Sequence, residues 1–183
     1  MRLEPTPTLH SLAFRAADFA TLAEALDYAA LGATGANFYS GQGKIQTRLS
    51  YRSLRIDAVA LARKLLALGL SQGDRVALVA ETDPHFLRFF YACQYAGLVP
   101  VPLPASVKLG AHTSYVAQLQ RLLAGSHASI AVASEGYLPF LEEASAGLGL
   151  RMVADPERFY RLPAAEQQAL PAQDPDSIAY IQY

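Results

Sequence analysis

The side chains of this 183-residue chain that could bind a metal or transfer protons are widely scattered. Its histidines occur without an H-x-x-E-H or H-E-x-x-H pattern and without a neighbouring cysteine, although a metal site needs several ligands that converge on one ion. We therefore predict no metal-binding residue and interpret the histidines as surface or capping residues. They are His10, His85, His112 and His127.

Nucleophilic and acid–base catalysis are not indicated either. The sequence lacks a G-x-S-x-G elbow, and Ser114 and Ser126 have histidines nearby without forming a triad pattern. Glu142 and Glu143 are adjacent, and successive helical residues are turned by about 100°, so these carboxylates cannot flank one bond as acid and base. We predict no catalytic residue and interpret both glutamates as solvated.

A glycine-rich phosphate cradle is also missing from the pattern. No G-x-x-x-x-G-K-[ST] occurs, and Gly41-Gln42-Gly43 lacks the third glycine of the dinucleotide fingerprint and precedes a strand-like run. These glycines favour a hairpin turn. We predict no cofactor-binding residue and expect no cofactor bound to this chain alone, and the residues leave substrate-binding positions unknown.

One predicted helix carries an aromatic set that could line an acyl-binding pocket. At helical spacing a packed core explains such a set more often than a pocket does, so the core is the favoured interpretation. The single cysteine, Cys93, lies in the same apolar run and is interpreted as a buried small hydrophobe. The aromatic residues are Phe86, Phe89, Phe90, Tyr91 and Tyr95.

Composition narrows the class of protein. With 52% hydrophobic and 17% charged residues, the chain should fold around a core. A net charge of −1 provides no basic field for nucleic acid. The apolar stretch 89–107 is interrupted by Pro100, Pro102 and Pro104, so we predict no membrane span. Pro5 and Pro7 interrupt any export signal, and we expect a cytoplasmic protein.

The first half of the chain predicts helix, hairpin and helix. Thr21 can cap a helix that continues to about residue 31. Two strand-like runs, 37–40 and 45–49, are joined by a glycine-containing turn and predict a β-hairpin. Ser50 can cap a long amphipathic helix, which predicts an apolar face and a basic face. The apolar face holds Leu54, Ala58, Leu61, Leu65 and Leu68, and the other face holds Arg52, Arg55 and Arg63.

From residue 73 onward, short apolar runs alternate with helical patterns. Strands are predicted at 75–80, 99–103, 128–133 and 150–153, and another begins at 177–183. The intervening helices begin at Asp83 with Pro84, at Ser114 and at Ser134. This alternation predicts a doubly wound α/β fold, a mostly parallel sheet flanked by helices. The predicted inward faces are Phe86, Phe89, Phe90, Cys93 and Gly97, then Tyr115, Leu119, Leu122 and Leu123, then Tyr137, Leu141, Ala144 and Leu148.

The domain organisation is predicted to be simple. Residues 1–20 form a lead-in segment, and residues 21–183 form one α/β subdomain. Within it, the proline-rich connector 154–176 should run over the surface with no more than short helical turns. The apolar run 178–183 ends without a turn, a cap or a polar tail, so we expect the chain to be a fragment.

Three segments, in this order and spacing, resemble the adenylate-forming superfamily of acyl-AMP and acyl-CoA ligases and peptide-synthetase adenylation domains. Residues 49–54 read LSYRSL and resemble the family's L-[ST]-Y-x-x-L. Residues 73–78 read GDRVAL and resemble its G-D-R-V-A-[IL]. Residues 91–103 read YACQYAGLVPVPL and resemble its A-x-x-x-A-G-x-x-x-V-P-L, which is the most specific of the three.

The end of the chain extends this resemblance. Residues 176–183, DSIAYIQY, look like the strand that leads into the family's glycine- and hydroxyl-rich phosphate loop. That ending, the Phe38-Tyr39 hairpin strand and the proline-rich segment after Val99 look most like the fatty-acyl-AMP ligase branch. Residues 102–108, PLPASVK, depart from that branch's P-x-x-P form.

The resemblance implies the N-terminal subdomain of an adenylate-forming ligase, truncated before the phosphate loop. In the family, that loop holds ATP, a later acidic residue serves Mg²⁺, an aspartate binds ribose and a C-terminal lysine stabilises the transition state. None of these residues has a counterpart here. The implied role of the matched segments is to position the sheet edge from which the phosphate loop begins, and the fragment alone is expected to be inactive.

The expected function is therefore that of a parent enzyme. The resemblance implies an ATP-dependent, Mg²⁺-requiring ligase of lipid metabolism that converts a fatty acid into acyl-AMP and passes it to an acyl carrier protein. Two alternatives stay open: an acyl-CoA synthetase of the same superfamily, with coenzyme A as acceptor, and a non-catalytic α/β binding or interaction module whose exposed last strand pairs with a partner.

Overall fold

The computed structural model describes residues 12–105, 112–163 and 169–183. Across these ranges the chain forms six helices and six strands. The helices are α1 (Leu22–Ala29), α2 (Tyr51–Ala67), α3 (Pro84–Ala96), α4 (His112–Ser126), α5 (Leu138–Ser145) and α6 (Pro156–Tyr160). The strands are β1 (Gly35–Tyr39), β2 (Ile45–Ser50), β3 (Arg75–Val79), β4 (Val99–Leu103), β5 (Ala128–Val132) and β6 (Met152–Ala154).

A parallel four-stranded sheet with the order β4-β3-β5-β6 lies at the centre of the fold. The chain moves outward from β3 to β4, then crosses back past β3 to β5 and continues to β6. Helices lie between successive strands, as parallel pairing requires. This arrangement confirms the predicted doubly wound α/β class.

Two apolar clusters cover the two faces of this sheet, because successive strand residues point to opposite sides. Val76 and Leu78 of β3 face a cluster formed with α1, α2, α3, α6 and the hairpin. Ala77 and Val79 face a second cluster formed with α4 and α5. Strands buried on both faces explain why the β3 to β5 runs are continuously apolar in sequence.

The predicted helix starts are confirmed at three caps. The side chains of Thr21, Ser50 and Asp83 accept hydrogen bonds from backbone N–H groups in the first turns of α1, α2 and α3. These bonds satisfy donors that a helix N-terminus leaves unpaired. Helix α1 is two residues shorter than predicted and ends at Ala29. Helix α3 ends at Ala96, and the next residue, Gly97, has a φ of 67°, which lies in the left-handed region.

The predicted β-hairpin is confirmed as the antiparallel pair β1 and β2. Of its two turn glycines only Gly43 has a positive φ, 75°, so one left-handed residue suffices for the turn. Gly35 is required for another reason. A Cβ atom at this position would lie 2.2 Å from the carbonyl oxygen of Leu49 on the paired strand.

Three further helices differ from their predictions. Helix α4 begins at His112, two residues before the predicted Ser114. Helix α5 begins at Leu138, not at Ser134, because Ser134 instead opens a turn in which its carbonyl oxygen accepts from the N–H groups of Tyr137 and Leu138. In α3, the predicted face through Phe86 and Phe90 is only half-buried. Phe89 and Cys93 of the predicted face are buried as expected, but α3 packs against both α2 and the sheet, so its buried arc also includes residues outside that face. The buried residues of α3 are Phe89, Ala92, Cys93, Gln94, Tyr95 and Ala96.

The connector 154–176 runs mostly over the surface in its described part, as predicted, but it is anchored in the core near its start. Its described part contains the short helix α6, and Phe159 on this helix is completely buried. The Phe159 ring lies edge-on to Phe89, with 5.4 Å between the ring centroids. An aromatic side chain buries so much apolar area that one of them suffices to dock a short helix. Residues 164–168 lie outside the described residues.

The strand predicted at 177–183 is not formed. Only Ile181 in this segment makes a backbone hydrogen bond to β4, to the carbonyl oxygen of Pro100 at 3.1 Å. A parallel ladder needs bonds in both directions, and Pro100 has no N–H to return one. Among the described residues, no helix combines the length and hydropathy needed to cross a bilayer.

Candidate functional site

The carboxyl ends of the central strands form the crevice where open α/β sheets usually bind ligands, because the strand order reverses between β3 and β5. Asp83 and His85 follow β3, and Ser134 follows β5, and all three line this crevice. His85 Nδ1 lies 2.9 Å from the hydroxyl of Tyr160 on α6. The connector therefore closes one side of the crevice.

Two cationic side chains beside this crevice already have hydrogen-bond partners. Arg88 Nε donates to Asp57 at 2.8 Å, and Lys64 Nζ donates to the carbonyl oxygen of Tyr160. Burial raises the pKa of Tyr160 well above the ordinary tyrosine value, so its hydroxyl stays protonated at neutral pH. The arrangement ties α2, α3 and α6 together and engages Arg88 and Lys64 within the fold.

The second candidate region is the outer edge of β4. On the inner edge, Val99 N–H donates to the carbonyl oxygen of Asp74, and Leu103 accepts from Ala80 N–H, both at 2.9 Å. Because the bonding direction alternates along a strand, Pro100 and Pro102 point their backbone groups to the outer edge. Prolines carry no N–H, so this edge presents only acceptors.

Residues 177–183, which we call the edge segment, lie along this edge. Besides the Ile181 bond to Pro100, the side-chain amide of Gln94 on α3 donates to the carbonyl oxygen of Ala179 at 2.7 Å. The Tyr180 ring packs 5.8 Å from that of Phe90. Much of the edge segment nevertheless faces solvent, since Ile178 and Tyr183 are 61% and 62% exposed.

The structure does not bring the predicted histidines together. His112 Nε2 pairs with Glu143 at 2.6 Å on the surface, and His127 occupies a left-handed turn position with φ of 52°. His85 belongs to the crevice, and His10 lies outside the described residues. Across the described ranges, no group of three or more His, Cys, Asp or Glu side chains is placed to hold a metal ion.

The serines and Cys93 occupy unrelated positions. Ser126 is buried at the end of α4 and donates to the carbonyl oxygen of Leu123 one turn earlier. Ser114 lies on the exposed side of the same helix, and Glu142 is exposed on α5. Cys93 is fully buried, as its apolar setting predicts, and burial raises the pKa of its thiol.

The aromatic set on α3 packs mainly as core. Phe89 contacts α6, and the ring centroids of Phe86 and Phe90 are 6.0 Å apart. Tyr95 is buried, and its hydroxyl donates to Asp27 of α1 at 2.7 Å. Burial is the main cause of a raised pKa for Tyr95. These contacts agree with the core interpretation of the set.

Sequence reasoning missed Gln94 as a residue of interest. It is one of two buried polar side chains among the described residues, and it is only 8% exposed. The available signal was an amide within an otherwise apolar stretch of α3, and burying an amide is costly unless it is hydrogen-bonded. Its partner, Ala179, lies 85 residues away in the chain.

Comparison with known proteins identifies a family model and sequence relatives that match this chain. Residues 25–183 match the family model described as AMP-binding enzyme. The chain is 42% identical over 181 residues to a Caulobacter vibrioides protein named as an acyl-CoA synthetase, covering 97% of this chain. It is also 38% identical over 149 residues, or 75% of this chain, to a 4-hydroxybenzoate–CoA/benzoate–CoA ligase of Rhodopseudomonas palustris.

Solved structures show the same relationship in three dimensions. The fold superposes with a TM-score of 0.88 on a fatty acyl-adenylate ligase structure, from studies of the E. coli and L. pneumophila enzymes, with 43% identity over 92% of this chain. The chain spans 30% of that structure. It spans 31% of the Caulobacter protein and 26% of the Rhodopseudomonas ligase.

Proposed function

This chain belongs to the AMP-binding enzyme family, the adenylate-forming ligases, and we propose that it is the N-terminal subdomain of a fatty-acyl-AMP ligase. In the proposed reaction a fatty-acid carboxylate oxygen attacks the α-phosphorus of ATP, which forms the acyl–AMP anhydride and releases pyrophosphate. The thiol of an acyl carrier protein then takes the acyl group and releases AMP. The cytoplasm is the proposed compartment.

One observation carries this proposal: the similarity to a fatty acyl-adenylate ligase extends over nearly the whole chain in both sequence and fold. A match at that level of identity reaches beyond the shared superfamily fold. Family membership also favours an enzyme over a free-standing interaction module.

The proposed role of this chain within the reaction is to position other parts. The sequence lacks a phosphate-cradle pattern, and the described residues hold no cluster of metal ligands, so the proposal leaves the binding of ATP and Mg²⁺ to other parts of the enzyme. We therefore assign no step of ATP chemistry to a side chain of this chain. Its proposed contribution is the rigid sheet and the edge segment, from which the phosphate loop of the enzyme would continue.

The test is ATP–pyrophosphate exchange measured on the full-length gene product with fatty acids of increasing chain length. We expect exchange that depends on the fatty acid, whereas the 183-residue chain alone should give none. Absence of exchange with every chain length would reject the proposed reaction. Exchange by the 183-residue chain alone would reject its assignment as a positioning subdomain.

An acyl-CoA synthetase is the second candidate, favoured by the names of the Caulobacter and Rhodopseudomonas relatives. Both candidates make acyl-AMP, so exchange alone does not separate them. Purified enzyme carrying acyl-AMP should be given coenzyme A or a holo acyl carrier protein in parallel. Release of AMP with the carrier protein supports our proposal, and release with coenzyme A alone supports the alternative.

A further inference from the structure

The contact between the edge segment and β4 has the spacing of a parallel ladder with one donor missing. In such a ladder, a residue accepts from the N–H that follows its opposite residue and donates to the C=O that precedes it. The Ile181 bond to Pro100 therefore puts Tyr180 opposite Pro100. The carbonyl oxygen of Ala179 is then the group that residue 100 would bond if it had an N–H.

The side-chain amide of Gln94 occupies the place of that missing donor. Its Nε2 lies 2.7 Å from Ala179 O, a good hydrogen-bond distance. Ser177 and Ile178 lie in the same groove as Val99, so the edge segment runs in the same direction as β4. Gln94 lies in the last turn of α3, which leads through Gly97 directly into β4. The donor and the strand that lacks it are thus held by one rigid unit.

We propose that Gln94 is a positioning residue whose amide replaces the backbone N–H that Pro100 lacks, and so fixes the register of the edge segment on β4. This inference rests on the proposed function for its consequence. If the phosphate loop follows the edge segment, a one-residue slip at Ala179 displaces that loop by about 3.3 Å, the rise of a strand residue. Gln94 thereby sets where the phosphate loop begins.

The first test removes the amide donor from the full-length protein. Gln94→Leu keeps the size of the side chain and loses the donor, and Gln94→Glu places a carboxylate against a carbonyl. Hydrogen–deuterium exchange should become about fivefold faster in peptides covering residues 179–183, the effect of one lost hydrogen bond. In pyrophosphate exchange, the KM for ATP should rise while the KM for the fatty acid changes less than twofold.

A matched control is available at Gln173, whose amide contacts the carbonyl oxygen of Tyr95 at a long 3.4 Å and lies beside the same segment. Gln173→Leu should change neither the protection of residues 179–183 nor the KM for ATP. Equal effects from both glutamines would overturn the proposal.

The sharper test restores the missing backbone donor. Pro100→Ala provides an N–H at the position that Gln94 replaces, so Gln94→Leu combined with Pro100→Ala should regain protection to within about twofold of the parent protein. If Gln94 had a merely structural role, Pro100→Ala would not restore protection, and the losses of protection from the two substitutions would add. That result would overturn the proposal. Rescued protection in a protein that shows no pyrophosphate exchange supports the role of Gln94 and rejects the proposed function.

Discussion

The two edges of β4 are built in different ways. Its inner edge is fully paired with β3, and both strands are buried between helices on the two faces of the sheet. Its outer edge holds the edge segment by one backbone bond and one glutamine amide, with apolar side chains left in solvent. Stability therefore resides in the interior, while the proposed function depends on an edge that contributes little to stability.

The largest expected effect comes from the interior and tests the docking of the connector. Phe159→Ala removes a fully buried ring that packs edge-on to Phe89, and should lower the free energy of unfolding by about 3–5 kcal/mol. Urea denaturation measures this loss. Phe14→Ala, at a site 92% exposed, should change it by less than about 0.5 kcal/mol. Similar losses at the two sites would show that the connector is not part of the core.

An alkaline titration tests the interior next. Burial, the main cause, raises the pKa of Tyr115 to about 12, whereas the unfolded chain titrates near 10. As the pH rises, the Tyr115 hydroxyl therefore loses its proton first in the unfolded state. Its contribution to stability is fully present below pH 10 and is lost between pH 10 and pH 12. By pH 11 this tyrosine should cost about 1.4 kcal/mol. Between pH 9 and 11 the free energy of unfolding of Tyr115→Phe should therefore fall by about 1.4 kcal/mol less than that of the parent protein. An equal fall in both proteins would contradict the burial of the Tyr115 hydroxyl.

A smaller effect is expected where α1 meets α3. Tyr95→Phe removes the hydroxyl that donates to Asp27, and one hydrogen bond contributes about 1 kcal/mol. Asp27 keeps its ion pair with Arg55, so the carboxylate is not left without a partner. Urea denaturation at neutral pH should show this loss, and an unchanged midpoint would mean that solvent already satisfies the hydroxyl.

The smallest effect on stability is expected at the outer edge. Ile178→Lys replaces an exposed apolar side chain and should change the free energy of unfolding by less than about 0.5 kcal/mol. Self-association of the 183-residue chain should nevertheless fall, because lysine on an exposed edge opposes pairing between chains. Light scattering over a concentration series measures this change. A parent chain that stays monomeric at high concentration would contradict it.

The sequence predicted the interior well because local pattern and burial agree there. The bounds of β4 follow directly from its apolar run, and the caps at Thr21, Ser50 and Asp83 follow from side chains that act within one turn. Phe159 was missed because nothing local distinguishes it from any other aromatic residue in a proline-rich connector. Only its long-range contact with Phe89 shows its role.

The edge segment shows a different limit of sequence reasoning. Its apolar pattern is that of a strand, but pairing also depends on the groups offered by the neighbouring strand. Pro100 has no backbone N–H to donate, and the side-chain amide of Gln94 donates to Ala179 instead. Both residues lie about eighty positions before Ala179 in the chain. No periodicity within residues 177–183 contains that information.

The alternating prolines of β4 also matter while the chain is being made. Translation delivers β4 to the folding environment well before residues 177–183 emerge, and an uncovered sheet edge is where nascent polypeptides join one another. Because this edge offers carbonyl groups alone, a strand of another nascent chain can form only half of the backbone hydrogen bonds of a regular ladder. We therefore expect Pro100 and Pro102 to reduce such pairing until residues 177–183 of the same chain have been made.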